Sequence, residues 1–194
     1  MAEVQTIAVI GAGRVGRGIA QVAARGGYST ILEDLLPNAL RRAESEIRSQ
    51  LDWAVESGGV SADAANAALS RLEFAGSVED AARQADLVIE AVPEELESKI
   101  EIFTLLDKIC RPGTILASHI STLSITEISR VTYRARNCVG MHFAERGNGL
   151  EVIRGQETDA ETVAKAVEVG RRMGRETLVL QDPWGRSEGL PHGS

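Results

Sequence analysis

The stretch that most constrains this chain is Thr6 to Gly18, TIAVIGAGRVGRG, an apolar run that enters a glycine turn and leaves it as a helix. That arrangement points backbone N–H groups, and the positive end of a helix dipole, at a place where a diphosphate can sit. Gly11, Gly13 and Gly16 have the G-x-G-x-x-G spacing. The first permits the tight turn, the second leaves room for the diphosphate, and the third lets the helix close on the strand. With Arg14 and Val15 these glycines form the expected dinucleotide-facing set, although Arg14 and Arg17 also suit plain solvated helix positions.

A turn of this kind needs an acid at the end of the next strand, about 20 residues on, to accept from the adenosine ribose. Asp34, 18 residues past Gly16, meets the requirement, and Glu33 stands beside it. Two carboxylates there oppose a 2′-phosphate, so NAD is expected rather than NADP. The alternative is a structural glycine turn next to two solvated acids.

A chain of 194 residues fits one domain with a real core. Its net charge of −7 argues against nucleic acid or an anionic membrane as partner. The apolar runs are too short for a membrane span, and the N-terminal one enters the glycine turn directly, unlike a signal peptide, so a cytoplasmic protein is expected. Cys110 and Cys138 lack metal or redox spacing and read as buried free thiols; no metal is expected.

Strand and helix signals then alternate. Pro37 opens a helix to residue 57, and residues 61 to 71 read as its hairpin partner. Leu87 to Val92 is an apolar strand, Glu95 to Cys110 an amphipathic helix, and Asn137 to Met141 a strand that delivers His142 to its C-terminal end. Leu150 to Ile153 is a further strand, and Thr158 with Glu161 a capping box. The fold predicted is a Rossmann-type doubly wound α/β domain over residues 1–181, with a mostly parallel sheet, a helical-hairpin insertion and a disordered tail over 182–194.

Several stretches together resemble the NAD-binding domain of the 3-hydroxyacyl-CoA dehydrogenases: IAVIGAGRVGRGIAQVAARGGY, ADLVIEAVPEELESK, STLSIT, CVGMHF and LEVIRG, in family order over residues 4 to 181. The resemblance implies that His142, held by Glu151, is the general base on a 3-hydroxyl, that Ser121 bonds the substrate oxygen, and that Glu94 and Lys99 lie near the nicotinamide ribose. The chemistry is sound, because an imidazole titrates near neutral pH and a carboxylate partner sets its tautomer. Read singly, His142 also suits a strand-end residue satisfying the backbone, Ser121 a turn hydroxyl, Glu151 an exposed strand residue, Glu94 a helix-start acid and Lys99 a solvated lysine.

The chain departs from the family after the histidine. HFAERGNGLE puts Glu145 where a substrate-binding Asn is expected and shortens the connection to Glu151. His119 and Ile120 replace Asn and Thr ahead of the serine, which leaves His119 as a second acid or base, or a local hydrogen-bonding group. QDPWGRSEG keeps Asp182 and Gly185 of the link to a helical domain and goes no further, so a covering subunit, and with it a homodimer, is expected. Two readings follow: an NAD-dependent oxidoreductase acting on a hydroxyacyl group carried by coenzyme A or a carrier protein, and a stand-alone NAD-binding module that needs a partner.

Overall fold

The computed structural model describes residues 3–183. One eight-stranded sheet, in the order β3-β2-β1-β4-β5-β6-β7-β8, forms its centre. The strands are β1 Thr6–Ile10, β2 Ser29–Glu33, β3 Leu72–Ala75, β4 Leu87–Glu90, β5 Ile115–Ser118, β6 Cys138–Phe143, β7 Gly149–Arg154 and β8 Glu176–Gln181. Pairing is parallel except between β6 and β7, so the predicted, mostly parallel doubly wound sheet is the one present. From β1 the chain builds outward to β3, then returns to add β4 on the other side of β1. That reversal opens a crevice at the C-terminal ends of β1 and β4, where ligands bind in such sheets.

Helices cover both faces. On one side α1 (Arg14–Arg25), α2 (Pro37–Glu56), α3 (Ala62–Leu69) and α7 (Ala160–Arg172) bring Ile19, Ala43, Ile47, Leu51, Ala68 and Val169 into one core with Ile7, Val9, Leu32 and Val152 of the sheet. On the other, α4 (Val78–Ala82), α5 (Leu96–Ile109) and α6 (Ile125–Ser129) bring Ala81, Phe103, Leu106 and Ile128 onto Ala8, Ile10 and Val88. Burying β1 and β4 on both faces explains why they read as continuous apolar runs.

The local signals work as sequence chemistry requires. Pro37 begins α2, and the hydroxyls of Ser61, Ser77 and Ser124 accept from the N–H groups of Ala64, Asp80 and Glu127. One cap differs from the expected one. Asp159, not Thr158, caps α7 by accepting from Thr162 N–H at 2.7 Å, because the Thr158 hydroxyl is buried and donates to Cys138 O at 2.7 Å. Residue 182, placed in the expected tail, instead packs against the fold. Asp182 is buried, accepting from Ser124 Oγ at 2.7 Å and Thr126 N–H at 2.8 Å, which fastens the end of β8 to the start of α6. Residues 184–194 of that expected tail lie outside the described residues.

Candidate active site

The glycine turn sits at the switch point and meets the steric demands of a dinucleotide. Gly11 has φ +99°, which favours glycine. A Cβ on Gly16 would lie 1.7 Å from Gly11 O, so α1 can approach β1 only because that side chain is missing. A Cβ on Gly13 would meet nothing within 4 Å and would instead stand in open space above the turn. That open cradle at a helix N-terminus fits a diphosphate.

Around it lies a cleft of about 490 Å³, within the size range of cofactor sites. Gly11, Gly13, Arg14, Val15 and Asp34 form one side; Ala91, Val92, Pro93, Glu94, His119 and Ser121 form the other. Asp34 follows β2 and lines the cleft beside the glycine turn. Its Oδ2 accepts from Ala12 N–H at 3.0 Å and its Oδ1 from Leu36 N–H at 2.9 Å, so the same carboxylate braces the glycine turn. Glu33 does not join it as a facing carboxylate, because alternation along β2 turns it inward. Glu33 is 2% exposed, its Oε1 has no hydrogen-bond partner, and burial with the neighbouring Asp34 charge raises its pKa to about 7. The charge opposing a 2′-phosphate is therefore that of Asp34 alone.

Glu94 lines the cleft by a mechanism that spacing did not reveal. Its Oε1 accepts from the backbone N–H groups of Ser121 at 2.8 Å, Thr122 at 3.0 Å and Leu123 at 3.4 Å. Partial burial works to raise this carboxyl, yet those donors and nearby Lys99 hold it below the ordinary carboxylate range. The Ser121 hydroxyl is 3.4 Å from the same oxygen. Glu94 thus shapes the serine loop.

Lys99 does not face the cleft, contrary to the role implied at the nicotinamide ribose. It points inward from the first turn of α5, is 0% exposed, and donates to Glu90 Oε1 at 2.9 Å, Glu90 Oε2 at 3.1 Å, Val92 O at 3.2 Å and His119 O at 2.9 Å. Burial pushes the Glu90 carboxyl up against the pull of Lys99, the Ser118 hydroxyl at 2.6 Å and Val92 N–H at 2.7 Å. This buried pair ties the ends of β4 and β5 together beneath the cleft. Glu90 was missed in the sequence; the available signal was an acid inside the apolar run LVIEAV, nine residues before a lysine.

His142 and Glu151 do meet. They are directly paired in the antiparallel β6–β7 register, and His142 Nδ1 is 3.0 Å from Glu151 Oε2. The short connection is a tight loop in which Gly147 takes φ +80° and Ala144 N–H bonds Gly149 O at 3.0 Å. Within that loop Glu145 bonds Arg14 across the mouth of the site at 2.8 Å, an exposed pair of small energetic weight. His142 adjoins the cleft through His119, whose ring centroid is 5.5 Å from its own.

A sheet that reverses its strand order behind an open glycine cradle is the architecture of dinucleotide-binding domains, and this chain is one. Comparison with known proteins narrows the class: the family model described as 3-hydroxyacyl-CoA dehydrogenase, NAD binding domain, matches residues 6–183, and the chain belongs to that family. It is 37% identical over 183 residues to a probable 3-hydroxybutyryl-CoA dehydrogenase of Bacillus subtilis, covering 93% of this chain and 63% of that one. It is likewise 37% identical over 181 residues to the 3-hydroxyadipyl-CoA dehydrogenase of Escherichia coli, covering 92% and 38%. The solved structure of E. coli 3-hydroxybutyryl-CoA dehydrogenase matches with a TM-score of 0.91 at 35% identity, covering 95% of this chain and 39% of that one. The chain therefore spans less than two thirds of the length of these relatives.

Proposed function

We propose that the chain is the NAD-binding, base-bearing part of a dehydrogenase that oxidises the 3-hydroxyl of an acyl thioester or a related small hydroxy acid. The observation that carries this reading is the His142–Glu151 pair at 3.0 Å, set beside a cleft that fits a dinucleotide. Gly11, Gly13 and the start of α1 would hold the diphosphate, Asp34 the adenosine ribose, and Glu94 would stand by the reacting end. When bound, NAD supplies the acceptor for the hydride that leaves the substrate carbon.

The protein's own part is proton chemistry. With Nδ1–H held by Glu151, the His142 ring presents Nε2 as a base; it takes the hydroxyl proton, and the carboxylate stabilises the resulting imidazolium. Ser121, on the loop held by Glu94, donates to the same oxygen. The names of the relatives support a coenzyme A thioester, and a carrier-bound acyl group would present the same hydroxyl.

The test is NADH formation from 3-hydroxybutyryl-CoA by the whole chain and by His142→Ala. Turnover that the variant loses while its calorimetric NAD affinity stays within about twofold supports the reading, and unchanged turnover sinks it. NAD binding without turnover in the wild type would favour the second reading, a binding module completed by a partner.

Association as a homodimer belongs to the same proposal. Leu178, Val179 and Leu180 are 56%, 45% and 36% exposed on the edge strand β8, where a second copy would cover them. A cytoplasmic setting belongs to the same proposal; Cys110 and Cys138 are free, buried thiols, pushed up by burial to about 11 and about 12. No described helix is long and apolar enough to cross a membrane.

A further inference from the structure

His119 stands between the dinucleotide cleft and the His142–Glu151 pair. It lines the cleft beside Glu94 and Ser121, and its ring lies 5.5 Å from that of His142, tilted by 37°. Its main chain is gripped on both sides: N–H donates to Glu90 O at 2.8 Å, and the carbonyl accepts from Lys99 Nζ at 2.9 Å. The buried ion pair of β4 and α5 thus serves to place this histidine.

The ring is anchored in an unusual way. Its Nδ1 lies 3.2 Å from Met141 O and 3.4 Å from Phe143 N, so β6 offers the same nitrogen both an acceptor and a donor. With the proton on Nδ1, Met141 O accepts it and Nε2 is left as an acceptor. With Nδ1 bare, Phe143 N–H donates to it and Nε2 carries the proton. Nε2 itself has no partner among the described residues. Burial, reinforced by the charge of His142 and opposed by the Met141 bond, lowers the His119 pKa below the ordinary histidine value, so the ring is neutral at physiological pH.

We propose that His119 is a second catalytic imidazole, whose Nε2 holds the substrate's 3-oxygen together with His142. This rests on the dehydrogenase reading above and adds a residue to it. One oxygen can make hydrogen bonds of about 2.8 Å to both rings at their observed separation. A reversible dehydrogenase needs a partner for two forms of that oxygen, a hydroxyl on one side of the reaction and a carbonyl on the other. The hydroxyl's single proton is directed at His142, so His119 serves in its Nε2–H tautomer, with Phe143 N–H donating to Nδ1, and donates to the same oxygen in both its hydroxyl and its carbonyl form. His142 remains the group that takes the hydroxyl proton, and the carbinol hydride, with its electron pair, passes to bound NAD as the C=O bond forms.

The test compares His119→Asn with His119→Gln in the whole chain, because the Asn amide reaches the Nδ1 position and the Gln amide the Nε2 position. The expected result is a loss of about a hundredfold in kcat/KM for Asn, a smaller loss of about tenfold for Gln, and NAD affinity within about twofold of wild type for both. Better activity with Asn than with Gln would show that the ring only braces β6 and would overturn the proposal. So would a fall in NAD affinity that matches the fall in turnover. Acetoacetyl-CoA added to histidine-labelled protein with NAD bound should shift the His119 Nε2 resonance, and an unmoved resonance also overturns the proposal. Should the wild type show no turnover, the dehydrogenase reading fails on its own, and the resonance alone decides the role of His119.

Discussion

His142 and Glu151 face each other across the β6–β7 ladder with Nδ1 and Oε2 3.0 Å apart, although only nine residues separate them in the chain. An antiparallel hairpin makes such neighbours automatically, since each residue sits opposite one partner and a tight loop fixes which one. The shortened HFAERGNGLE segment therefore keeps the pair that its length put in question. Glu151→Gln should preserve the contact while allowing the wrong tautomer of His142. A fall in kcat of about a hundredfold is expected with little change in NAD affinity, read by steady-state kinetics and calorimetry.

The glycines of the turn separate binding from folding. Gly13→Val fills the open cradle, so NAD affinity should fall at least tenfold while the melting temperature stays within about 2 °C. Gly16→Ala places a methyl 1.7 Å from Gly11 O and should lower the melting temperature by several degrees, an effect visible without cofactor.

Lys99→Met removes the only cation bonded to Glu90 among the described residues and leaves a carboxylate in a fully buried site. Breaking such a pair costs on the order of 3–5 kcal/mol, and urea unfolding should show a loss of that size. Glu90→Gln added to Lys99→Met should recover part of it, because no charge then remains to be buried. Equal stability in the two variants would deny the ion pair its structural role.

Glu33 makes stability depend on pH. Its pKa is about 7 in the fold against an ordinary 4.5, so the folded state binds the proton more tightly than the unfolded chain does. The resulting stabilisation is fully present below about pH 4.5 and is lost as pH rises through 7. The shift corresponds to about 3 kcal/mol between the two limits. Glu33→Gln should flatten the stability profile between pH 5 and 8 and raise the melting temperature at pH 8; an unchanged profile would show that Glu33 ionises freely.

The strand-turn-helix unit at residues 6–25, the helix opened by Pro37 and the mostly parallel arrangement were legible because those signals act over a few residues. Glycine spacing and apolar periodicity each carry their meaning locally. Lys99 and Glu33 were harder to read. A lysine on a helix and an acid beside Asp34 look solvated until the sheet decides which way each points, and both point inward. Asp182 likewise resembled the start of a tail, and only the approach of α6 makes it an anchor.

The sequence by itself determined a doubly wound dinucleotide-binding domain, its glycine turn and the acid that follows β2, because strand, turn and helix preferences are local. Tertiary structure alone decided which side chains meet: His142 with Glu151, Lys99 with Glu90 and His119, Glu94 with the serine loop. Those meetings depend on strand register and on which face of the sheet each helix covers, and both are set by packing the whole core at once.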